Sequence, residues 1–132
     1  MQGQRPRAFL VDDNDGLRVA IRELLTDAGV EVVGEARDSG TALLAIPPAA
    51  TSPLAVLMDV RLPGPVNGIE ATRRLLERRA GVRVIIFTAF SGAAIERAAL
   101  AAGAVMVLIK GAPAETLVAA VRRAWCAAAL AS

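Results

Sequence analysis

The chain has 132 residues, 55% of them hydrophobic, and a formal net charge of +2. That length and apolar content favour one core over two, so residues 1–132 are expected to form a single domain, with 1–6 as a polar tail and 7–130 as the folded body. The small positive excess, with Lys110 the sole lysine, argues against direct nucleic-acid binding, and the absence of histidine excludes a Ser/His/Asp triad, a histidine-based metal site and a phosphohistidine donor within the chain.

In chain order, Ala8 to Val11 is an apolar run that stops at Asp12-Asp13 and reads as a first strand. Asn14 or Asp15 then caps a helix running to about Ala28, with Leu17, Ala20, Ile21, Leu24 and Leu25 as its apolar stripe and Gly29 as its end. Glu31 to Glu35 is a second strand, centred on Val32 and Val33. Asp38 or Ser39 starts a short helix through Ile46, stopped by Pro47-Pro48. Leu54 to Asp59 is a third strand, apolar throughout until its closing carboxylate, with Arg61-Leu62-Pro63-Gly64 turning away after it. Gly68 or Ile69 opens a helix to Arg79, ended by Gly81. Val82 to Thr88 is the fourth strand, and a helix from about Ala93 to Ala102 follows. Val105 to Ile109 is the fifth strand, and Pro113 occupies the first turn of a last helix reaching past Trp125.

Five repeats of strand then helix predict an α/β fold, a doubly wound parallel sheet inside a three-layer α/β/α sandwich. The unbroken apolar runs Val84-Ile85-Ile86-Phe87 and Val105-Met106-Val107-Leu108-Ile109 fit strands covered on both faces. Cys126 is the sole cysteine, which excludes an internal disulfide. The N-terminal segment is too short for a signal-peptide core, and Arg122 and Arg123 interrupt the last apolar run, so a soluble cytoplasmic protein without a membrane span is expected.

In open parallel sheets, ligands bind at the carboxyl ends of the strands. Those ends carry Asp12 and Asp13, Asp59, Thr88 and Lys110. Three carboxylates in one crevice repel one another unless a proton or a cation intervenes, and an all-oxygen donor set suits Mg²⁺. A lysine closing the fifth strand can pair with a carboxylate at rest and with a phosphoryl oxygen in action, while Thr88 can donate its hydroxyl to the same oxygen. These are the parts needed to move a phosphoryl group onto an aspartate. Asp59, at the centre of the sheet, is the expected nucleophile. Asp12 and Asp13 are better placed to hold the ion.

The segments Phe9-Leu10-Val11-Asp12-Asp13, Leu57-Met58-Asp59-Val60-Arg61-Leu62-Pro63-Gly64, Gly68-Ile69-Glu70-Ala71, Ile86-Phe87-Thr88-Ala89 and Gly103-Ala104 leading to Leu108-Ile109-Lys110 resemble the receiver domain of two-component response regulators. The motifs run in the family's order over nearly the whole chain. The resemblance implies a flavodoxin-like sheet of order 2-1-3-4-5 and a phosphorylation-dependent switch that is not a metabolic enzyme. It implies Asp12, Asp13 and Asp59 as Mg²⁺ ligands, with the main-chain carbonyl of Arg61 as a further one. Asp59 would be the phosphoacceptor, Thr88 and Lys110 would bind the phosphoryl group, and small Ala89 would leave room for it. The implied partner is a histidine kinase or a histidine phosphotransfer protein.

Two departures stand out. The family usually has an aromatic residue three positions before its lysine, where this chain has Val107, and the loop from Leu62 to Gly68 is one residue longer than the common pattern, with Pro65, Val66 and Asn67. The side chains two beyond the phosphoaspartate and two beyond the threonine line the path of attacking water in the family. Here they are Arg61 and Phe90, so a slow intrinsic phosphatase is expected.

Other readings compete. Asp12-Asp13-Asn14-Asp15 alone could only cap a helix, and the arginines at 73, 74, 78, 79 and 83 read as a solvated helix face. In the last helix Leu117, Val121, Ala124 and Ala128 form the expected core stripe, leaving Val118 and Trp125 at its edge. An exposed Trp125 would support a homodimer through the last two helices. A pseudo-receiver that ignores phosphate is one alternative function. The receiver part of a longer DNA-binding regulator is another, and the Gly68-Ile69-Glu70-Ala71-Thr72-Arg73-Arg74 style is closest to receivers with helix-turn-helix outputs.

Overall fold

The computed structural model describes residues 4–46, 53–79, 81–90 and 92–131. Its elements are β1 (Arg7–Val11), α1 (Asp15–Asp27), β2 (Glu31–Ala36), α2 (Ser39–Ala45), β3 (Leu54–Met58), α3 (Gly68–Arg78), β4 (Val82–Thr88), α4 (Ala93–Ala101), β5 (Met106–Ile109) and α5 (Ala114–Ala131). The strands form one parallel sheet in the order β2-β1-β3-β4-β5, as expected of a flavodoxin-like fold.

Three helix starts are fixed by side-chain caps. Asn14 accepts the N–H of Leu17, Asp38 that of Thr41 and Asn67 that of Glu70, each satisfying a donor that the first turn leaves free. Pro113 stands one residue before α5 rather than inside its first turn, and its carbonyl accepts the N–H groups of Thr116 and Leu117. The expected stop at Pro47-Pro48 lies outside the described residues, as do the first three residues of the tail.

Successive strand residues point to opposite faces, so the sheet carries two cores. Val11, Val56, Met58, Val84 and Ile86 pack under α2, α3 and α4 with Ala42, Ala71, Leu75 and Ala99. Leu10, Ala55, Leu57, Ile85 and Phe87 pack under α1 and α5 with Ile21, Leu25, Leu117, Val121 and Trp125. Every residue of β3 is buried, which explains its unbroken apolar sequence.

Several expectations need correction. β5 is covered only in part: it is an edge strand, with Val107 half-buried against one core and Met106 and Leu108 half-buried against the other, Ile109 exposed and Val105 outside the strand. Trp125 is 6% exposed, because it follows Val121 by one helical turn and joins a wider stripe with Ala120 and Ala124. It offers no surface to a partner. Ala20 is exposed on the outer side of α1. Arg79 is buried just past the end of α3, and Arg83 is a half-buried residue of β4, so neither belongs to a solvated helix face. Among the described residues no helix is long and apolar enough to cross a membrane.

Candidate functional site

The sheet's hydrogen bonding continues one residue past the strands. The N–H of Asp12 donates to the Ala36 carbonyl at 3.1 Å, that of Asp59 to the Val11 carbonyl at 3.0 Å, and that of Lys110 to the Thr88 carbonyl at 2.8 Å. The ladder therefore delivers Asp12, Asp59, Thr88 and Lys110 to one edge of the sheet, in fixed register. Asp13 follows Asp12 into the same crevice.

Each of Asp12, Asp13 and Asp59 places a carboxylate oxygen within 4.8 Å of the others. Asp12 and Asp59 are buried and Asp13 is exposed. Lys110 Nζ lies 2.7 Å from Asp12 Oδ2 and 3.0 Å from Asp59 Oδ2, bridging the buried pair. Burial pushes the Asp59 carboxyl above its ordinary pKa; Lys110 opposes that shift and repulsion from Asp12 adds to it. Burial pulls the Lys110 ammonium down, but the hydrogen bonds to Asp12 and Asp59 outweigh it and leave its pKa raised. With three carboxylates against one ammonium, the site keeps an excess of negative charge, and its donors are all oxygen. That donor set fits a hard divalent cation and is typical of a Mg²⁺-binding receiver site.

The remaining expected residues surround this cluster. Thr88 is fully buried, and its Oγ accepts the N–H of Phe90 at 3.2 Å. Ala89 is exposed beside it. The Arg61 guanidinium stacks on the Phe90 ring, 3.7 Å from its centroid, so the two side chains expected to flank the site touch each other. Val107 is half-buried against the core beneath α2, α3 and α4.

The long loop after Asp59 is held at both ends. At its base the Gly68 N–H donates to the Val60 carbonyl at 2.8 Å. A Cβ on Gly68 would lie 1.7 Å from the Asp59 carbonyl oxygen, so only glycine fits there. At its tip, Gly64 adopts φ +114°, a conformation that favours glycine. There the Ser39 N–H donates to the Pro63 carbonyl at 3.1 Å, and the Val66 N–H donates to Ser39 Oγ at 3.3 Å. Pro65 lies against Gly40, so the loop packs onto the start of α2.

Sequence reasoning missed two supporting residues. Arg18 donates to the Asp12 carbonyl at 2.6 Å and pairs with Glu35 at 3.1 Å and Asp15 at 2.7 Å, tying α1 to the first strand end. A cation one turn into a helix with an acidic start was the available signal. Ser39 carried none, because its partners lie more than twenty residues away in sequence.

Comparison with known proteins agrees with this geometry. The family model for the response regulator receiver domain matches residues 8–122. The response regulator GacA of Pseudomonas protegens is 38% identical over 117 residues, covering 88% of this chain and 54% of that protein. The chain spans about half the length of the curated relatives it matches. Among solved structures, a two-component response regulator of the LuxR family from Aurantimonas sp. SI85-9A1 is 36% identical with a TM-score of 0.83, covering 94% of this chain and 87% of that one. A CheY-like receiver domain protein from Methanospirillum hungatei JF-1 shares the fold at a TM-score of 0.85 and 22% identity, covering 98% of this chain and 100% of that one. The chain belongs to the response regulator receiver domains of two-component signalling, which are phosphorylation-dependent switches and not conventional enzymes.

Proposed function

We propose that Asp59 accepts a phosphoryl group from a phosphohistidine on a histidine kinase or a histidine phosphotransfer protein. The observation that carries this reading is the bridged cluster, in which Lys110 Nζ sits between Asp12 and the buried Asp59 with Asp13 beside them. Asp12, Asp13, Asp59 and the main-chain carbonyl of Arg61 would hold Mg²⁺, which when bound neutralises charge on the phosphoryl oxygens. An Asp59 Oδ attacks phosphorus and a new O–P bond forms as the donor's P–N bond breaks. The electron pair leaves with the imidazole, which takes a proton from solvent. Lys110 turns from the carboxylate to a phosphoryl oxygen, and the Thr88 hydroxyl donates to the same group. Phe90, two residues beyond Thr88, has no polar atom with which to orient water toward the acyl phosphate, which keeps the phosphoryl group long-lived.

The test is intact-mass analysis after incubation with acetyl phosphate and Mg²⁺, comparing the wild type, Asp59→Asn and an EDTA control. The expected result is a single Mg²⁺-dependent adduct that Asp59→Asn abolishes. A folded protein that gains no adduct would overturn the reading in favour of a pseudo-receiver. Function in the cytoplasm as one receiver unit belongs to this proposal. So does self-association through α4 and α5, which the exposed Leu100 on α4 and Leu130 on α5 support. Monomer behaviour independent of concentration and of phosphorylation would refute that association. A second reading, the receiver portion of a longer DNA-binding regulator, is favoured by the chain's half-length coverage of its relatives. The length of the native protein on an immunoblot decides it.

A further inference from the structure

The site has one cation that the phosphorylation reading leaves without a task. Arg61 stands two residues beyond Asp59, is exposed, and among the described residues pairs with the Phe90 ring. Phe90 is in turn tied by its N–H to Thr88 Oγ, so the stack joins the loop after β3 to the loop after β4, the two loops that follow Asp59 and Thr88. Charge decides what happens to this stack. Three carboxylates, one ammonium and one divalent cation balance, and replacing the Asp59 carboxylate with a dianionic acyl phosphate leaves one negative charge over. Lys110 is already engaged within the cluster and Arg18 is held by Asp15, Glu35 and the Asp12 carbonyl, which leaves Arg61 as the cation at hand without a carboxylate partner among the described residues. Attraction to a ring's quadrupole at an exposed position is weaker than a charge-assisted hydrogen bond from guanidinium to phosphoryl oxygen. The new charge therefore wins the guanidinium.

We propose that Arg61 is an exchangeable cation: it rests on Phe90 while Asp59 is free and moves to a phosphoryl oxygen once Asp59 is modified, releasing the Phe90 ring. The inference rests on the receiver reading. It gives this chain a switch that needs no aromatic residue at position 107, because the released ring is Phe90, already 43% exposed at the surface. The signal leaves the site through a side chain that is freed. Covalent change at Asp59 thus becomes a change of surface at the loop after β4.

The test uses protein labelled with 4-fluorophenylalanine. The chain has three phenylalanines, and Phe9 and Phe87 are buried, so the fluorine resonance of Phe90 is assigned by its loss in Phe90→Leu. Unmodified Arg61→Gln gives the position of a Phe90 ring without its guanidinium. Wild type treated with acetyl phosphate and Mg²⁺ is expected to move its Phe90 resonance onto that position, in proportion to the adduct measured by intact mass on the same sample. An adduct with the resonance unmoved, or moved away from the Arg61→Gln position, overturns the exchange while leaving the receiver reading intact. Absence of any adduct overturns both.

Discussion

Replacing Gly68 with alanine puts a methyl carbon 1.7 Å from the Asp59 carbonyl oxygen and 2.8 Å from its carbonyl carbon. Both atoms are main chain, so no side chain can turn aside. Reaching even the 3.0 Å floor of real contacts requires α3 or the Asp59 peptide to move by about 1.3 Å. Overpacking of this kind costs about 1–3 kcal/mol. The same movement breaks the Gly68 to Val60 hydrogen bond, worth about 0.5–1.5 kcal/mol more. The gain in helix propensity of alanine over glycine is at most about 1 kcal/mol and does not offset these losses. We expect a net destabilisation of about 0.5–3.5 kcal/mol, read as a lower urea midpoint. Gly16→Ala is the control: its Cβ meets only Asn14 Oδ1 at 3.6 Å, an ordinary contact, so α1 should gain about 0.4–1 kcal/mol. Because the displaced peptide is that of Asp59 itself, Gly68→Ala should also lower the yield of aspartyl phosphate where circular dichroism shows it folded. A midpoint equal to or above the wild type would refute the reasoning.

Other substitutions probe the charges. Lys110→Ala strands two buried carboxylates and should cost about 2–4 kcal/mol in EDTA, less than a sealed pair would because a fifth of the Lys110 side chain stays in solvent; Mg²⁺ should restore part of the loss in a thermal melt. Asp59→Asn should be more stable than wild type at neutral pH in EDTA. The folded carboxyl, its pKa raised by burial, binds its proton more tightly than the unfolded one, so wild-type stability falls as pH rises through that window and the variant lacks this fall. Glu70 behaves oppositely. Its hydrogen bonds from Arg73 and Arg74 lower its pKa to about 2, so the stability gap between wild type and Glu70→Gln, present at neutral pH, should close as pH falls toward that value. A gap that persists at low pH would sink this account. Phe90→Glu, which replaces an apolar ring with a group able to orient water, should shorten the phosphoryl lifetime on the order of tenfold, followed by loss of the mass adduct after donor removal.

Much of this protein is written locally. The alternation of strand and helix is legible because each element declares itself within a dozen residues, through an apolar run or a cap such as Asn14 or Asp38. The crevice is legible too, since parallel strands share a carboxyl end and that end collects Asp12, Asp13, Asp59, Thr88 and Lys110 whatever the details of packing. The family motifs add the order of the strands. What sequence could not decide is which residues meet across the fold. The burial of Trp125 depends on the width of the stripe that α1 and the sheet present to α5, and the exposure of Ile109 depends on β5 lying at an edge. The Arg61 stack on Phe90, the Arg18 bond to Glu35 and the docking of the loop on Ser39 join residues separated by loops or whole elements. Local propensity acts over a few residues and sets elements and ends. Contacts between distant segments arise only once the two cores close, and the tertiary structure alone fixes them.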